Sequence, residues 1–170
     1  MSAATAAESL CSSCGMCCDG VLFHAVELQA GDHPRQLASL GLKLRRKKGV
    51  EFFLQPCSAH RKESGHCSCT IYTERPIRCQ AFDCGQLRGV LAGEIAEEAA
   101  LEKIREARER VAQVNALIDQ IGETNPNRGI AHRVANALTL SPGAERDDRH
   151  ARLDSTMREL ESLLTREFRD

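Results

Sequence analysis

The stretch Cys11-Ser-Ser-Cys14-Gly-Met-Cys17-Cys18 places four thiols within one short run of chain. Thiolates this crowded repel one another and take up protons unless a cation sits among them, so the stretch asks for a thiophilic metal. The other five cysteines are Cys57, Cys67, Cys69, Cys79 and Cys84, and none follows. Nine is an odd number, so complete pairing inside the chain is excluded. The opening residues, Met1 to Leu10, have neither the basic region nor the apolar core of an export signal, and they predict a reducing, cytoplasmic setting in which disulfides do not persist.

Spacing narrows the chemistry further. Cys11-x₂-Cys14 and Cys14-x₂-Cys17 have the knuckle spacing with which two thiolates grip one tetrahedral ion. Gly15 permits the left-handed backbone of a tight turn, so a turn-rich course is expected over Cys11–Cys18. Cys17 and Cys18 are adjacent, and neighbouring side chains tend to diverge, which points to two metal centres or one centre with a spare thiolate. Cys67-x-Cys69 and Cys79-x₄-Cys84 form a second group, with Cys57 ahead of them. Eight thiolates fill two S₄ sites, or an Fe–S cluster and a structural zinc, and leave one over.

Working outward, residues 1–10 read as a loose leader with a short helical start. A short strand is expected over Val21–Val26 and a helix over Pro34–Leu40. Leu42–Arg46 and Val50–Leu54 form a hairpin turning at Gly49, and Pro56 ends the second strand. The polar, cysteine-punctuated stretch Cys57–Gly85 reads as loops wrapped around metal. Beyond it the pattern becomes helical. Ile104, Ala107, Val111, Val114, Ile118 and Ile121 draw one apolar stripe along a helix over Ala92–Ile121. Ile130–Leu140 reads as a shorter helix closed by Ser141-Pro142-Gly143. Ala144–Phe168 reads as a third, with Leu153, Met157, Leu160 and Leu164 on one face. The fold class is α+β: a loop-rich cysteine module with a short β-hairpin over residues 1–90, then an amphipathic α-helical extension over residues 91–170. The extension packs on the module, or meets a protein partner or a second copy of the chain.

Charge excludes more than it assigns. The net charge is −1; residues 1–90 carry 11 basic against 8 acidic side chains and residues 91–170 carry 12 against 16. That balance argues against nucleic acid or an anionic membrane as partner. The run Arg45-Arg-Lys-Lys48 is a charged hairpin tip with no interleaved aromatics for base stacking. No stretch approaches the roughly 18 apolar residues of a membrane-spanning helix. A phosphate loop, a nucleophile elbow and a His-Glu-x-x-His motif are all missing, so an enzyme is not the favoured reading. His60 stands three residues after Cys57 and His66 directly before Cys67, but the thiolates suffice without them. Aromatic residues are only 4% of the chain, so the core beneath the cysteines is thin and metal must replace packing there. A structural zinc site supplies on the order of 10 kcal/mol in small peptides, which is adequate.

Two motifs carry a resemblance. Cys11-x₂-Cys14-Gly-x-Cys17-Cys18, followed by Cys69-Thr-Ile71-Tyr72-x-x-Arg75-Pro76-x-x-Cys79, is similar to the YkgJ-type cysteine-cluster (CxxCxxCC) proteins, a family described as zinc- or iron-chelating. The resemblance runs from about residue 11 to 84. It implies Cys11, Cys14, Cys17, Cys18, Cys57, Cys69, Cys79 and Cys84 as metal ligands and leaves Cys67 as the surplus thiol. Thr73, Gln80 and Ser58-Ala59 depart from the family pattern without removing a thiolate. Arg75 and Arg78 would offset the negative charge of a tetrathiolate centre. The expectation is a protein that coordinates zinc or iron through a thiolate cluster in a structural or binding role; an iron–sulfur redox or electron-transfer accessory is the alternative. Zinc stands slightly ahead, because knuckle spacings suit it and a closed S₄ site stabilises a thin core.

Overall fold

The computed structural model describes residues 3–123, 125–140 and 148–169. Helix α1 (Ala3–Cys14) opens the chain, followed by strand β1 (Ala25–Glu27), helix α2 (Pro34–Ser39) and strands β2 (Leu44–Lys47) and β3 (Val50–Leu54). Strands β4 (His60–Glu63) and β5 (His66–Cys69), with helices α3 (Ile77–Ala81) and α4 (Gly85–Leu91), complete the cysteine-bearing half. Helices α5 (Glu97–Ile121), α6 (Ile130–Thr139) and α7 (Asp148–Leu164) follow, and α7 runs on into a π-helical turn, Thr165–Arg169. The class is α+β with a helical C-terminal part, as the sequence implies.

The predicted hairpin forms with Lys47 opposite Val50, and Lys48 and Gly49 at φ 49° and 83° turn the chain. Its partner on the other edge is β1, giving an antiparallel sheet in the order β1-β3-β2. The strand expected over Val21–Val26 lies later, at Ala25–Glu27, because Val21 and Leu22 are buried in the helical core instead. A second hairpin, β4–β5, replaces part of the expected loop region. Ser64 and Gly65 repeat the same left-handed turn at φ 49° and 85°. The polar sequence His60-Arg-Lys-Glu63 hid it, because it has no apolar alternation.

The leader is not loose. Ala3-Ala-Thr-Ala-Ala7 supplies strong helix formers, and α1 buries Ala6 and Leu10 in the main core. The long helix starts at Glu97, with Glu97 and Glu98 in its positive first turn, and ends at Gly122 in the left-handed conformation. Its stripe is buried as the periodicity requires, and it lies against Leu153, Met157, Leu160 and Leu164 of α7. The expected closure of α6 at residues 141–143 and the start of the last helix at residues 144–147 lie outside the described residues. One apolar cluster runs from α1 through Met16, Val21 and Leu22 into α5, α6 and α7. A second, smaller one gathers Leu37, Leu42, Phe53, Ala59 and Ile71 around the sheet. Among the described residues, no helix is long and apolar enough to cross a membrane.

Candidate metal centre

The cysteine run straddles a helix end. Cys11 and Cys14 lie on the last turn of α1, one helical turn apart, and only from Gly15 does the chain enter the expected turn. The pair is therefore an i, i+3 helical pair, because the alanine-rich segment before it propagates helix through both cysteines. Gly15, at φ 65°, then reverses the chain, with the amides of Cys18 and Asp19 both donating to its carbonyl oxygen at 2.9 and 3.1 Å. In this turn the Cys17 and Cys18 sulfurs do not diverge; they stand 3.5 Å apart.

The downstream thiols are brought to this turn by backbone stitching. The Cys57 amide donates to the Cys18 carbonyl at 2.8 Å, and Gln55 Nε2 donates to the Cys17 carbonyl at 3.1 Å. Gln55 is only 2% exposed, and its amide nitrogen donates to the carbonyl of His24. Cys67, across β4–β5 from Lys62, lies against Gly15: a Cβ there would sit 2.5 Å from its sulfur and 3.0 Å from His60 Nε2. Asp32 holds the remaining segment, its two carboxylate oxygens accepting from the amides of Ile77 at 2.8 Å and Gln29 at 2.7 Å. That fixes the start of α3, which carries Cys79. Cys84 closes the set as the residue before α4.

All nine cysteines are free thiols. Their electrostatics radiate from one point. A thiolate at Cys17 would raise the pKa of Cys11, Cys14, Cys57, Cys67, Cys79 and Cys84 alike. Cys84 also acts on Cys11 and Cys14, and Cys69 acts on Cys57 and Cys79. Burial is the larger cause in each of these six. It pushes the Cys79 thiol up to about 12, and it raises Cys11 to about 12 although that residue keeps part of its surface in solvent. For Cys17 the shared hydrogen bond with Cys18 leads and burial follows. Opposing forces are built in: the amides of Ala59 and His60 favour the thiolate of Cys57, and those of Gln86 and Leu87 favour that of Cys84. Arg75 lowers both Cys11 and Cys79, its guanidinium stacked 3.9 Å over the Tyr72 ring. Arg78, by contrast, is exposed at the end of α3.

The donor set suits a thiophilic cation: reduced sulfurs, largely desolvated, near backbone amides and the guanidinium groups of Arg75 and Arg108. As placed, no group of three His, Cys, Asp or Glu side chains among the described residues stands close enough to hold an ion. A tetrathiolate zinc centre needs its sulfurs about 3.8 Å apart, given Zn–S bonds of about 2.3 Å.

Of two neighbours outside the expected ligand set, the sequence singled out His60 and set it aside, and it gave no sign of Arg108. His60 has a buried Nε2 with no hydrogen-bond partner, and burial lowers its pKa. Its Cys-x₂-His spacing from Cys57 was the available signal. Arg108, on α5, donates to Asp19 at 2.5 Å and lowers the pKa of Cys14 and Cys67. Nothing in the sequence separates it from the solvent-facing arginines of the same helix. His66, by contrast, is exposed at the hairpin turn.

A reduced sulfur cluster drawn from five segments defines a chelating protein by its donors. The chain belongs to the CxxCxxCC family, described as "Putative zinc- or iron-chelating domain", which matches residues 10–112. The match reaches beyond the cysteines into α5 and includes Arg108, as expected if the first half of that helix supports the cysteine turn. No curated protein and no solved structure matches the chain.

Proposed function

We propose that the chain coordinates zinc or iron through Cys11, Cys14, Cys17, Cys18, Cys57, Cys69, Cys79 and Cys84, and that the bound metal holds the fold in a structural or binding role. The observation that supports this is the nearness of Cys11, Cys14, Cys57, Cys79 and Cys84 to Cys17, each close enough to feel a thiolate there, with the Cys17 and Cys18 sulfurs 3.5 Å apart. Their interactions divide them into two sets. Cys14, Cys17 and Cys84 pack with the helical cluster, with Cys11 near Cys84; Cys57, Cys69 and Cys79 pack with the sheet cluster, where the Cys57 amide binds the Cys18 carbonyl. Two four-sulfur centres meeting at Cys17–Cys18 is the arrangement this division supports. The exposed faces of α5–α7 remain for a protein partner or a second copy, and the setting is the reducing cytoplasm.

A second reading, an iron–sulfur redox or electron-transfer accessory, draws on the 3.5 Å approach of the Cys17 and Cys18 sulfurs in a desolvated setting. Elemental analysis with an optical spectrum on anaerobically purified protein separates the two. Colourless protein with about two zinc equivalents supports the structural reading; brown protein absorbing near about 400 nm supports the cluster. Cys14→Ser and Cys79→Ser should each lose metal, whereas Cys67→Ser should retain it. Retention of all metal by both of the first two variants would overturn the ligand assignment.

A further inference from the structure

Beside the thiols, a cleft of about 680 Å³ opens between α5, the β4–β5 turn and residues 126–130. Its apolar floor includes Val21, Ile104 and Val111, and its walls carry Lys62, Arg105, Arg108, Arg128 and Arg133 against a single acidic residue, Asp19. The five cations are not equivalent. Arg133 is committed to Glu123 at 3.1 Å, Asp119 at 3.3 Å and Asn115 at 2.6 Å, and Arg105 is paired with Glu102. Arg108 gives Nη1 to Asp19, but its Nη2 is buried and has no partner. Lys62 and Arg128 are exposed and form no ion pair among the described residues. Three unsatisfied cationic donors thus reach the cleft from three separate elements: Lys62 from β4, Arg108 from α5 and Arg128 from the segment before α6.

We infer that this cleft binds a small organic phosphate, its phosphoryl group held by Lys62, Arg108 and Arg128 and its apolar body on the floor. A cleft of this volume, apolar with a few convergent charges, has the build of a small-molecule site. Donors arriving from three directions suit a three-oxygen dianion better than a planar carboxylate, which one arginine fork can satisfy alone. The absence of aromatic side chains from the lining removes the stacking platform that single-stranded nucleic acid would use. No lining residue is a cysteine or histidine, so none of the proposed metal ligands is also a ligand for the phosphate.

The test is calorimetric titration of the full, metal-loaded chain with phenyl phosphate, inorganic phosphate and benzoate at fixed ionic strength. The expected result is one saturable site for phenyl phosphate, weaker binding of inorganic phosphate and weakest binding of benzoate. Lys62→Ala/Arg128→Ala removes two exposed cations outside the cysteine cluster and should weaken phenyl phosphate by at least about tenfold, with circular dichroism and metal content unchanged. Undiminished affinity in the double variant overturns the inference, as does no saturation by phenyl phosphate at millimolar concentration. Binding lost on removing the metal but kept in the double variant would place the anion on the metal and also overturn it. An RNA oligonucleotide bound more tightly than phenyl phosphate through the same two cations would replace the small-molecule reading.

Discussion

Gly15→Ala tests the close approach on which the cysteine cluster depends. The residue sits at φ 65°, so any side chain pays the left-handed penalty of about 1–2 kcal/mol. The added methyl would also lie 2.5 Å from the Cys67 sulfur and 3.0 Å from both the Cys67 Cβ and His60 Nε2. Cys67 is buried within a paired strand and cannot swing aside cheaply, so the hairpin must shift, at a cost of about 1–3 kcal/mol typical of overpacking. The two contributions sum to about 2–5 kcal/mol, a large share of the stability of a small domain. Gly122→Ala is the control. Its φ is 93°, but a methyl there meets nothing within 4 Å, so it carries only the backbone penalty. Urea unfolding of both variants, each metal-loaded, gives the difference directly. In the Cys67→Ala background the cost of Gly15→Ala should fall, because the atom nearest the new methyl is gone. Equal destabilisation by Gly15→Ala and Gly122→Ala would refute the packing of the hairpin on the cysteine turn.

Four further outcomes follow from the same geometry. Burial favours the protonated thiols, so metal-free protein keeps this contribution below the ordinary thiol pKa of 9.0 and loses it as pH climbs toward about 12, the value for Cys11 and Cys79. Metal-free protein should therefore unfold in alkali while metal-loaded protein persists. Metal affinity should also rise with pH across neutrality, with acid released into weakly buffered solution; a flat affinity profile would contradict the assigned ligands. Asp19→Asn removes the charge partner of Arg108 at a site where the two side chains are only 22% and 19% exposed. Thermal unfolding should register a loss of about 1–3 kcal/mol, and an unchanged midpoint would mean the pair is not formed. Chelation should first release hydrogen-exchange protection in β4–β5 and α3, leaving α5 and α7 protected by their mutual apolar stripes. Uniform loss across the chain would show that the metal is not a local fastener.

What could be read in advance followed the physics of each segment. Helix α5 was legible because its apolar stripe needs only periodicity, and its end because Gly122 is followed by Asn125-Pro126. The β2–β3 hairpin was legible because Val50–Leu54 is rich in β-formers after a glycine. The β4–β5 hairpin was not, since its strands carry His60, Arg61, Lys62 and Glu63 on surfaces that bury little. Helix α1 was under-read because its cysteines suggested a turn, while its alanines and the burial of Ala6 and Leu10 made it helical through Cys14. The eight thiols of the proposed site are named from spacing and family likeness alone. The roles of Gln55, Asp32 and Arg108 in holding them were not, because each acts on a segment distant in sequence.

The position of the thiols explains why a chelating module carries so many helices. The two apolar clusters share no buried residue, and the cysteines lie along the boundary between them. Cys14, Cys17 and Cys84 pack with the helical cluster; Cys57, Cys69 and Cys79 pack with the sheet cluster. The joints across that boundary include the Cys57–Cys18 and Gln55–Cys17 hydrogen bonds and the seat of Cys67 on Gly15. Net hydrogen bonds of this kind contribute about 1 kcal/mol each, far below the roughly 10 kcal/mol that a structural metal site can supply. A cation joining thiolates from both sides would thus dominate the coupling between the layers. The helical cluster is the larger of the two and anchors its side of the proposed site. On the proposed ligand assignment, metal occupancy would set how firmly the two layers are held together, while the helical core would hold through its own apolar packing.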